Sequence, residues 1–525
     1  MNFNGKHLIN GEFQADSDKS FQAVDAASTA LLDGQFRHAT LTDIDRACQL
    51  AGDTFPAFSS VAIETRALLL ERIAFELEAI VDELVVRIGQ EAGLPEARVR
   101  GETARTTGQL RLFATVVRRG DFLQARIDTA LPERQPLPRE DIRQCNSPLG
   151  PVVVFGASNF PMAFSVAGGD TASALAAGCP VVVRAHAAHP GTSEWVAKAI
   201  ARAVDYCKLP AGIFSLIQGK GHDIGKALVQ HPAIKAVGFT GSLGGGRALC
   251  DLAAARPDPI PVYAEMGSIN PVFLLPRALD ERAEALAEAF VASLTLGTGQ
   301  FCTNPGLIIA AAGDGLNRFR KRVADIITAA QPGVMLNPGI LNGYCQQQDK
   351  YRTEAELISE GEQATNRASV TLFGTSFAKW QDCAVLHEEV FGPCSLLVET
   401  VSSEQLLNAA EQLEGQLTAT LWAQENELQD YPALISELTR KVGRVLVNGF
   451  PTGVEVCDAM THGGPYPACS ITNSTSVGSR AIERFLRPVS FQNFPNDCLP
   501  AALQNNNPLR INRLVNGQQD IEPIG

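Results

Sequence analysis

At 525 residues the chain is too long for one compact core, and domain-size scaling points to roughly three domains. Its 45% hydrophobic and 19% charged residues are ordinary globular composition, and 45 glycines with 30 prolines fit the many tight turns of an α/β enzyme. A net charge of −13, from 44 basic and 57 acidic side chains, argues against a nucleic-acid or anionic-membrane partner, so an anionic ligand must meet a local positive patch.

The start, Met1-Asn-Phe-Asn-Gly-Lys-His-Leu-Ile-Asn-Gly11, lacks the charged-then-apolar pattern of a secretory signal, and no run of about 18 apolar residues offers a membrane span. The 12 cysteines show neither a CxxC pair nor zinc-like spacing, so no metal is expected and a reducing compartment, the cytoplasm, is. Residues 38–120 read as mostly helical, with a capped start at Leu41-Thr-Asp-Ile-Asp45, an amphipathic Leu70/Ile73/Leu77/Ile80 stripe and a break at Gly93-Leu-Pro95. Arg98, Arg100, Arg105, Arg111, Arg118 and Arg119 decorate this region. From Ala125 to Ser147 the pattern changes to short extended pieces, as in a β-hairpin-like excursion.

From Pro151 strands and helices alternate. Strands are expected at Val152-Val-Val-Phe155, Pro180-Val-Val-Val-Arg184, Phe214-Ser-Leu-Ile217 and Ala233 to Phe239, and helices at 170–177, 192–207 and 223–230, which together predict a parallel, doubly wound sheet suited to a nucleotide. A second α/β block runs over 267–460, with strands at Leu307–Ala311, Cys394–Val398 and Arg444–Asn448. After Arg487 the chain is polar and rich in Asn and Pro, and its tail is expected to lie across a partner or the surface.

Cys302 lies in the glycine-rich stretch Leu296-Gly-Thr-Gly-Gln-Phe-Cys-Thr-Asn-Pro305, without a nearby Cys or His in sequence, and so reads as a nucleophile better than as a metal ligand. Upstream, Ala264-Glu-Met-Gly-Ser-Ile-Asn-Pro271 supplies a carboxylate, Glu265. Phe239-Thr-Gly-Ser-Leu-Gly-Gly-Gly246 follows a strand and precedes a helix, and its glycines would let a dinucleotide lie against the helix N-terminus.

These words, with Gly156-Ala-Ser-Asn-Phe-Pro161 and Glu389-Val-Phe-Gly-Pro393, occur in the order and spacing of the aldehyde dehydrogenase superfamily, which the chain resembles from Ile9-Asn-Gly-Glu-Phe13 to about Arg487. The resemblance implies a Rossmann-like cofactor domain (1–127 and 149–266), an α/β catalytic domain (267–462), and a small β oligomerisation arm with the C-terminal tail (128–148 and 480–525). It implies Cys302 as nucleophile, Asn159 as oxyanion donor and Glu265 as the base that deacylates the thioester. Phe155, Gly241, Ser242, Gly246, Glu389 and Phe391 are implied around the cofactor.

Where the family has a Lys and then a Glu three residues on, this chain has Arg184 and Ala187. Removing a carboxylate and supplying a guanidinium favours NADP, with Lys220 and His222 assisting and NAD as the alternative. The words Gly449-Phe-Pro-Thr-Gly-Val-Glu-Val456, His462-Gly-Gly-Pro-Tyr-Pro467 and Ser474-Thr-Ser-Val-Gly478 resemble the branch holding 2,5-dioxopentanoate dehydrogenases and a bacterial NADP-dependent fatty aldehyde dehydrogenase. The tunnel is then expected from Phe160, Phe164, Ala167 and Thr303, and Arg105, on one helical face with Glu102 and Gln109, is expected to hold a distal carboxylate. The expected reaction is NAD(P)-dependent oxidation of 2,5-dioxopentanoate to 2-oxoglutarate by a homodimer or homotetramer. The alternatives are a fatty aldehyde dehydrogenase, a CoA-acylating enzyme, against which Glu265 argues, and a catalytically silent scaffold.

Overall fold

A computed structural model describes residues 3–524. The order of strands in the first sheet is Val262–Glu265, Ala236–Thr240, Val152–Phe155, Val181–Arg184, Phe214–Ile217, His7–Ile9 and Glu12–Gln14. The first five are parallel, and the N-terminal pair closes one edge antiparallel. Val152–Phe155 is buried throughout, with helices on both faces, which is why its sequence is an unbroken apolar run. Strand order reverses beside it: Val181–Arg184 follows on one side and Ala236–Thr240 returns on the other. The crevice beyond Phe155 and Thr240 is therefore the topological switch point at which such sheets bind ligands.

The second seven-stranded sheet runs Glu356–Glu360, Thr371–Ser376, Cys394–Thr400, Leu307–Ala311, Pro271–Leu274, Gln416–Trp422 and Val442–Val447, antiparallel only at Glu356–Glu360. Residues 41–119 form four helices. The first is capped by Thr40, whose hydroxyl accepts from the Asp43 amide while Asp43 reaches back, a box one residue ahead of the expected start. Gly93, at φ 67°, ends the third helix where the Gly-Leu-Pro break is read.

The helix Glu96–Arg119 divides its arginines. Arg100, Arg111, Arg118 and Arg119 make exposed ion pairs, whereas Arg98 and Arg105 turn toward the protein interior. The excursion forms Arg126–Asp128 and Ile142–Pro148 in a third sheet with Leu486–Gln492. Arg513–Val515 pairs parallel with Arg126–Asp128, and Gln518–Asp520 pairs with Arg513–Val515, so the tail extends this sheet. Buried Arg513 ties it down by donating to the carbonyls of Gln504, Asn505 and Glu522. No helix among the described residues is long and apolar enough to cross a membrane.

Candidate active site

The approach to Cys302 is set by backbone conformation. Gly297, Thr298 and Gly299 are successively left-handed, at φ 56°, 57° and 65°. A Cβ at Gly299 would lie 2.4 Å from the Gly392 carbonyl carbon, so the glycine also lets the 389–393 loop abut the cysteine loop. Asn304 closes that contact by donating to the Gly392 carbonyl at 3.1 Å. From the other side Asn270, itself at φ 48°, donates its amide to the carbonyls of Cys302 (2.8 Å) and Asn304 (3.0 Å). Its oxygen accepts from Thr418 and Ser268 hydroxyls. The bond to the Cys302 carbonyl fixes that main chain relative to the segment that follows Glu265, and the others hold the buried amide in place.

Glu265 ends its strand and is buried. One carboxylate oxygen lies 3.0 Å from His462 Nε2, and the other accepts from the Ser476 hydroxyl at 2.9 Å. The same Nε2 is 3.4 Å from Cys302 Sγ, so the imidazole bridges thiol and carboxylate. Burial, reinforced by the Glu265 carboxylate, pushes the Cys302 thiol well above its ordinary range. Burial alone would raise Glu265 too. The charge and hydrogen bond of His462, with hydrogen bonds from Cys302 and Ser476, override it and hold that carboxyl below the usual range. The resting pair is a thiol beside a carboxylate.

His462 and Ser476 are absent from the site read in the sequence, although both lie in words noted there as unusual. The return of the 462–479 loop creates their proximity: Met266 N donates to the Ala468 carbonyl at 2.8 Å, and Glu265 bridges to Cys469.

Asn159 donates its amide to the Gln300 carbonyl at 3.1 Å, which leaves its second N–H beside the Cys302 loop. Ahead of it, Phe160, Phe164 and Phe301 form an edge-to-face cluster, with centroids 5.2 Å and 5.3 Å apart. Arg98 lies over Phe160 and Phe301, and Arg105 lies 5.2 Å from the Phe164 ring centre. Arg98 is paired with buried Glu102, whose other oxygen accepts from the Met162 and Ala163 amides. Arg105 is different: its Nε makes one long contact, 3.4 Å, to the Val454 carbonyl, and both Nη atoms are buried without a partner. Ala167 is fully buried in the core, and Thr303 is buried beside Cys302 without lining the cleft.

A cleft of about 770 Å³ runs from Cys302 to the switch point. Phe155, Asn159, Arg184, His222, Gly241, Ser242, Glu389 and Phe391 line it, together with His186, Lys226 and Met266, which the sequence reading does not include. Ala187 and Lys220 line an adjoining cavity of about 270 Å³, and Gly246 packs under Met266, where a Cβ would lie 2.6 Å from Sδ. The cleft fits a dinucleotide on several counts. Ser242 caps the helix Leu243–Ala254, leaving its N-terminus directed at the crevice, and Gly221 and Gly244 stand where an added Cβ would meet open space. At one end Arg184, His222 and Lys226 gather, with Arg184 Nη2 on the Gly221 carbonyl and its Nε buried without a partner. At the other end burial raises the Glu389 carboxyl to about 8, against the lowering effect of the Ser268 amide.

Two relatives are similar over nearly the whole chain. Alpha-ketoglutaric semialdehyde dehydrogenase 2 of Azospirillum brasilense is 52% identical over 99% of this chain and 100% of its own. Alpha-ketoglutaric semialdehyde dehydrogenase of Acinetobacter baylyi is 48% identical over 98% of each. Among solved structures, gamma-glutamyl-gamma-aminobutyraldehyde dehydrogenase from Burkholderia cenocepacia superposes with a TM-score of 0.81 at 21% identity, over 94% of this chain and 97% of that one. Residues 13–487 match the aldehyde dehydrogenase family, and with a cysteine that lines a dinucleotide-sized cleft and is joined through His462 to a buried carboxylate, the chain belongs to that family.

Proposed function

We propose that this enzyme oxidises 2,5-dioxopentanoate to 2-oxoglutarate with NADP, using Cys302 as nucleophile. The observation that carries the substrate is Arg105: a buried guanidinium with two unpartnered nitrogens, beside the Phe160–Phe164–Phe301 cluster, is incomplete until an anion arrives. The names of the two long relatives support the same substrate. A fatty aldehyde would leave that charge buried against a methyl terminus.

In the reaction, Sγ gives its proton to the Glu265 carboxylate, beside the His462 N–H, and attacks the aldehyde carbon. The new oxyanion is held by the free Asn159 N–H and the Cys302 backbone N–H; losing one such donor typically costs about 10²- to 10³-fold in rate. A nicotinamide held beside Glu389 and Phe391 would supply the acceptor for the hydride that leaves this carbon. A thioester then remains on Cys302. Once the proton taken from Sγ has left to solvent through the open cleft, Glu265, oriented by His462 and Ser476, takes a proton from water, which attacks the thioester carbon; the acid is released and that proton returns to the departing thiolate.

Arg184, His222 and Lys226 at the far end of the cleft favour a ribose phosphate, and no side chain supplies a carboxylate at position 187 to repel it. Lys220 stands back in the adjoining cavity, where it lies over the Phe21 ring, and serves this patch only by its charge. Glu389 at the near end would accept from the nicotinamide ribose, with Phe391 beside it. The three sheets support a division into cofactor, catalytic and arm domains. The outer edges of Val442–Val447 and Leu486–Gln492 meet no strand among the described residues, which supports their pairing in a homodimer or homotetramer.

The test is a kcat/KM comparison of 2,5-dioxopentanoate, succinic semialdehyde, glutaraldehyde and a long-chain aldehyde, each with NAD and NADP, and with Cys302→Ala as the blank. A preference for the long-chain aldehyde sinks the substrate reading. Equal kcat/KM with the two cofactors sinks the NADP reading.

A further inference from the structure

Cys302, His462 and Glu265 present one thiol, one imidazole and one carboxylate whose ligating atoms all lie within 4.8 Å of one another. Bond lengths at a tetrahedral zinc ion place a sulfur and a nitrogen about 3.5 Å apart and a nitrogen and an oxygen about 3.3 Å apart. The observed separations, 3.4 Å from Sγ to Nε2 and 3.0 Å from Nε2 to Oε1, are within a few tenths of an ångström of those edges. We infer that these three side chains form a binding site for Zn²⁺ or a similar borderline-soft divalent ion, and that the ion inhibits the enzyme reversibly by occupying the nucleophile and the base together. The inhibition rests on the catalytic reading above; the metal site itself does not.

Three further features favour the ion. The first is charge: a thiolate and a carboxylate balance its two positive charges, so a neutral cluster replaces a buried anion, and nearby Arg105 meets no net repulsion. The second is support behind the ligands. Ser476 donates to the Glu265 oxygen that faces away from His462, and Asn270 clamps the Cys302 carbonyl, so the ligands are held before the metal arrives. The third is access, because Cys302 lines the open cleft and the fourth coordination position can face it. On binding, the proton on Nε2 moves to Nδ1 and the thiol proton leaves to solvent, so about one proton is released per ion. Hard ions such as Mg²⁺ prefer all-oxygen shells and are not expected to compete.

The spacing of the three residues along the chain, at 265, 302 and 462, has no metal-motif character. The site exists only because the 462–479 loop folds back.

The experiment uses the purified full-length chain with Co²⁺ as spectroscopic probe and Zn²⁺ as inhibitor. One equivalent of Co²⁺ should give the visible bands of a tetrahedral site and a thiolate charge-transfer band, both displaced by Zn²⁺. Cys302→Ser should remove this spectrum above the background of the other eleven thiols. His462→Phe and Glu265→Gln should each weaken Co²⁺ binding at least about tenfold. Zn²⁺ should abolish turnover of the wild type and EDTA should restore it, while excess Mg²⁺ has no effect. An unchanged spectrum in Cys302→Ser, or equal Co²⁺ affinity in wild type and Glu265→Gln, overturns the site even if His462→Phe fails to fold. Co²⁺ bound with turnover intact overturns the inhibition. A chain that oxidises no aldehyde without metal refutes the catalytic reading instead, and the spectrum still decides the site.

Discussion

Replacing Arg105 by Met keeps an unbranched apolar stem as far as the Nε position and removes the guanidinium. In the protein as it stands, Nη1 and Nη2 are buried and unpartnered, and burial lowers the pKa of the group. A substrate carboxylate that reaches it replaces two missing charge-assisted hydrogen bonds in a poorly solvated setting. Such a contact is worth about 2–4 kcal/mol, which is roughly 30- to 1000-fold in kcat/KM. Pentanal, of equal carbon count and without the carboxylate, has no group for Arg105 to meet, and its kcat/KM should change less than about threefold. The assay is initial-rate absorbance of the reduced cofactor at saturating NADP with each aldehyde in turn. Because the guanidinium is desolvated and short of acceptors, its removal should not lower the thermal midpoint. Equal losses with both aldehydes would mean that Arg105 shapes the tunnel and does not bind the substrate carboxylate.

Two further outcomes follow from the buried acids. Glu265→Gln removes the acceptor of the Sγ proton as well as the base that activates water, so the burst of reduced cofactor should slow together with steady-state turnover, the latter by about 10²-fold or more; rapid-mixing absorbance that shows a burst as fast as in the wild type refutes Glu265 as that acceptor. Glu389 is neutral in the folded cofactor-free protein up to about pH 8 and ionises in the unfolded chain near the ordinary carboxylate pKa, so its contribution to stability is present at low pH and lost as pH rises to about 8. Glu389→Gln has no proton to lose, and its stability relative to wild type should climb by up to about 5 kcal/mol between pH 4.5 and 8 in urea melts, then level off.

The strongest sequence signals coincide with the most constrained backbone. Val152–Phe155 and Leu307–Ala311 lie within unbroken apolar runs because helices or loops cover both sheet faces, and their limits are close to those expected. The tail is harder to read, since Arg513–Val515 and Gln518–Asp520 are three residues each, the first buried to half-buried and the second exposed throughout, so neither carries a hydrophobic alternation. Cys302 and Glu265 are marked by glycines that the geometry demands, as at Gly299, where a side chain would strike the Gly392 carbonyl. His462 carries no such mark: its neighbours are glycines and prolines of a long loop, and nothing local announces that the loop returns to the end of the Glu265 strand. Asn270 is similar, a left-handed residue after Glu265 whose amide reaches a loop far along the chain. Arg105 was legible from helical periodicity with buried Glu102 and Gln109, but the same period placed Arg98 on that wall without distinguishing it.

His462 joins these observations in one argument about protons. A thiol pushed up by burial and by Glu265 supplies almost no free thiolate near neutrality, so a mechanism that waits for it would be slow and would accelerate steeply with pH. A proton passed from Sγ to the Glu265 carboxylate, which accepts from both the thiol and the His462 Nε2–H, leaves the net charge of the buried group unchanged, which avoids the cost of creating a lone anion there. The acidic limb of the burst rate should then follow Glu265, whose carboxyl His462 holds low, so activity persists as pH falls until that carboxylate is protonated. His462→Phe removes the largest lowering influence and leaves burial opposed only by the Cys302 and Ser476 hydrogen bonds, so the Glu265 pKa must rise and the acidic limb must move to higher pH. Burst rate constants measured by rapid mixing across the range from mildly acidic to mildly basic pH give the limb directly. A limb at the same pH in wild type and His462→Phe, with only the amplitude reduced, would show that the imidazole fills space beside Phe164 and takes no part in moving the proton.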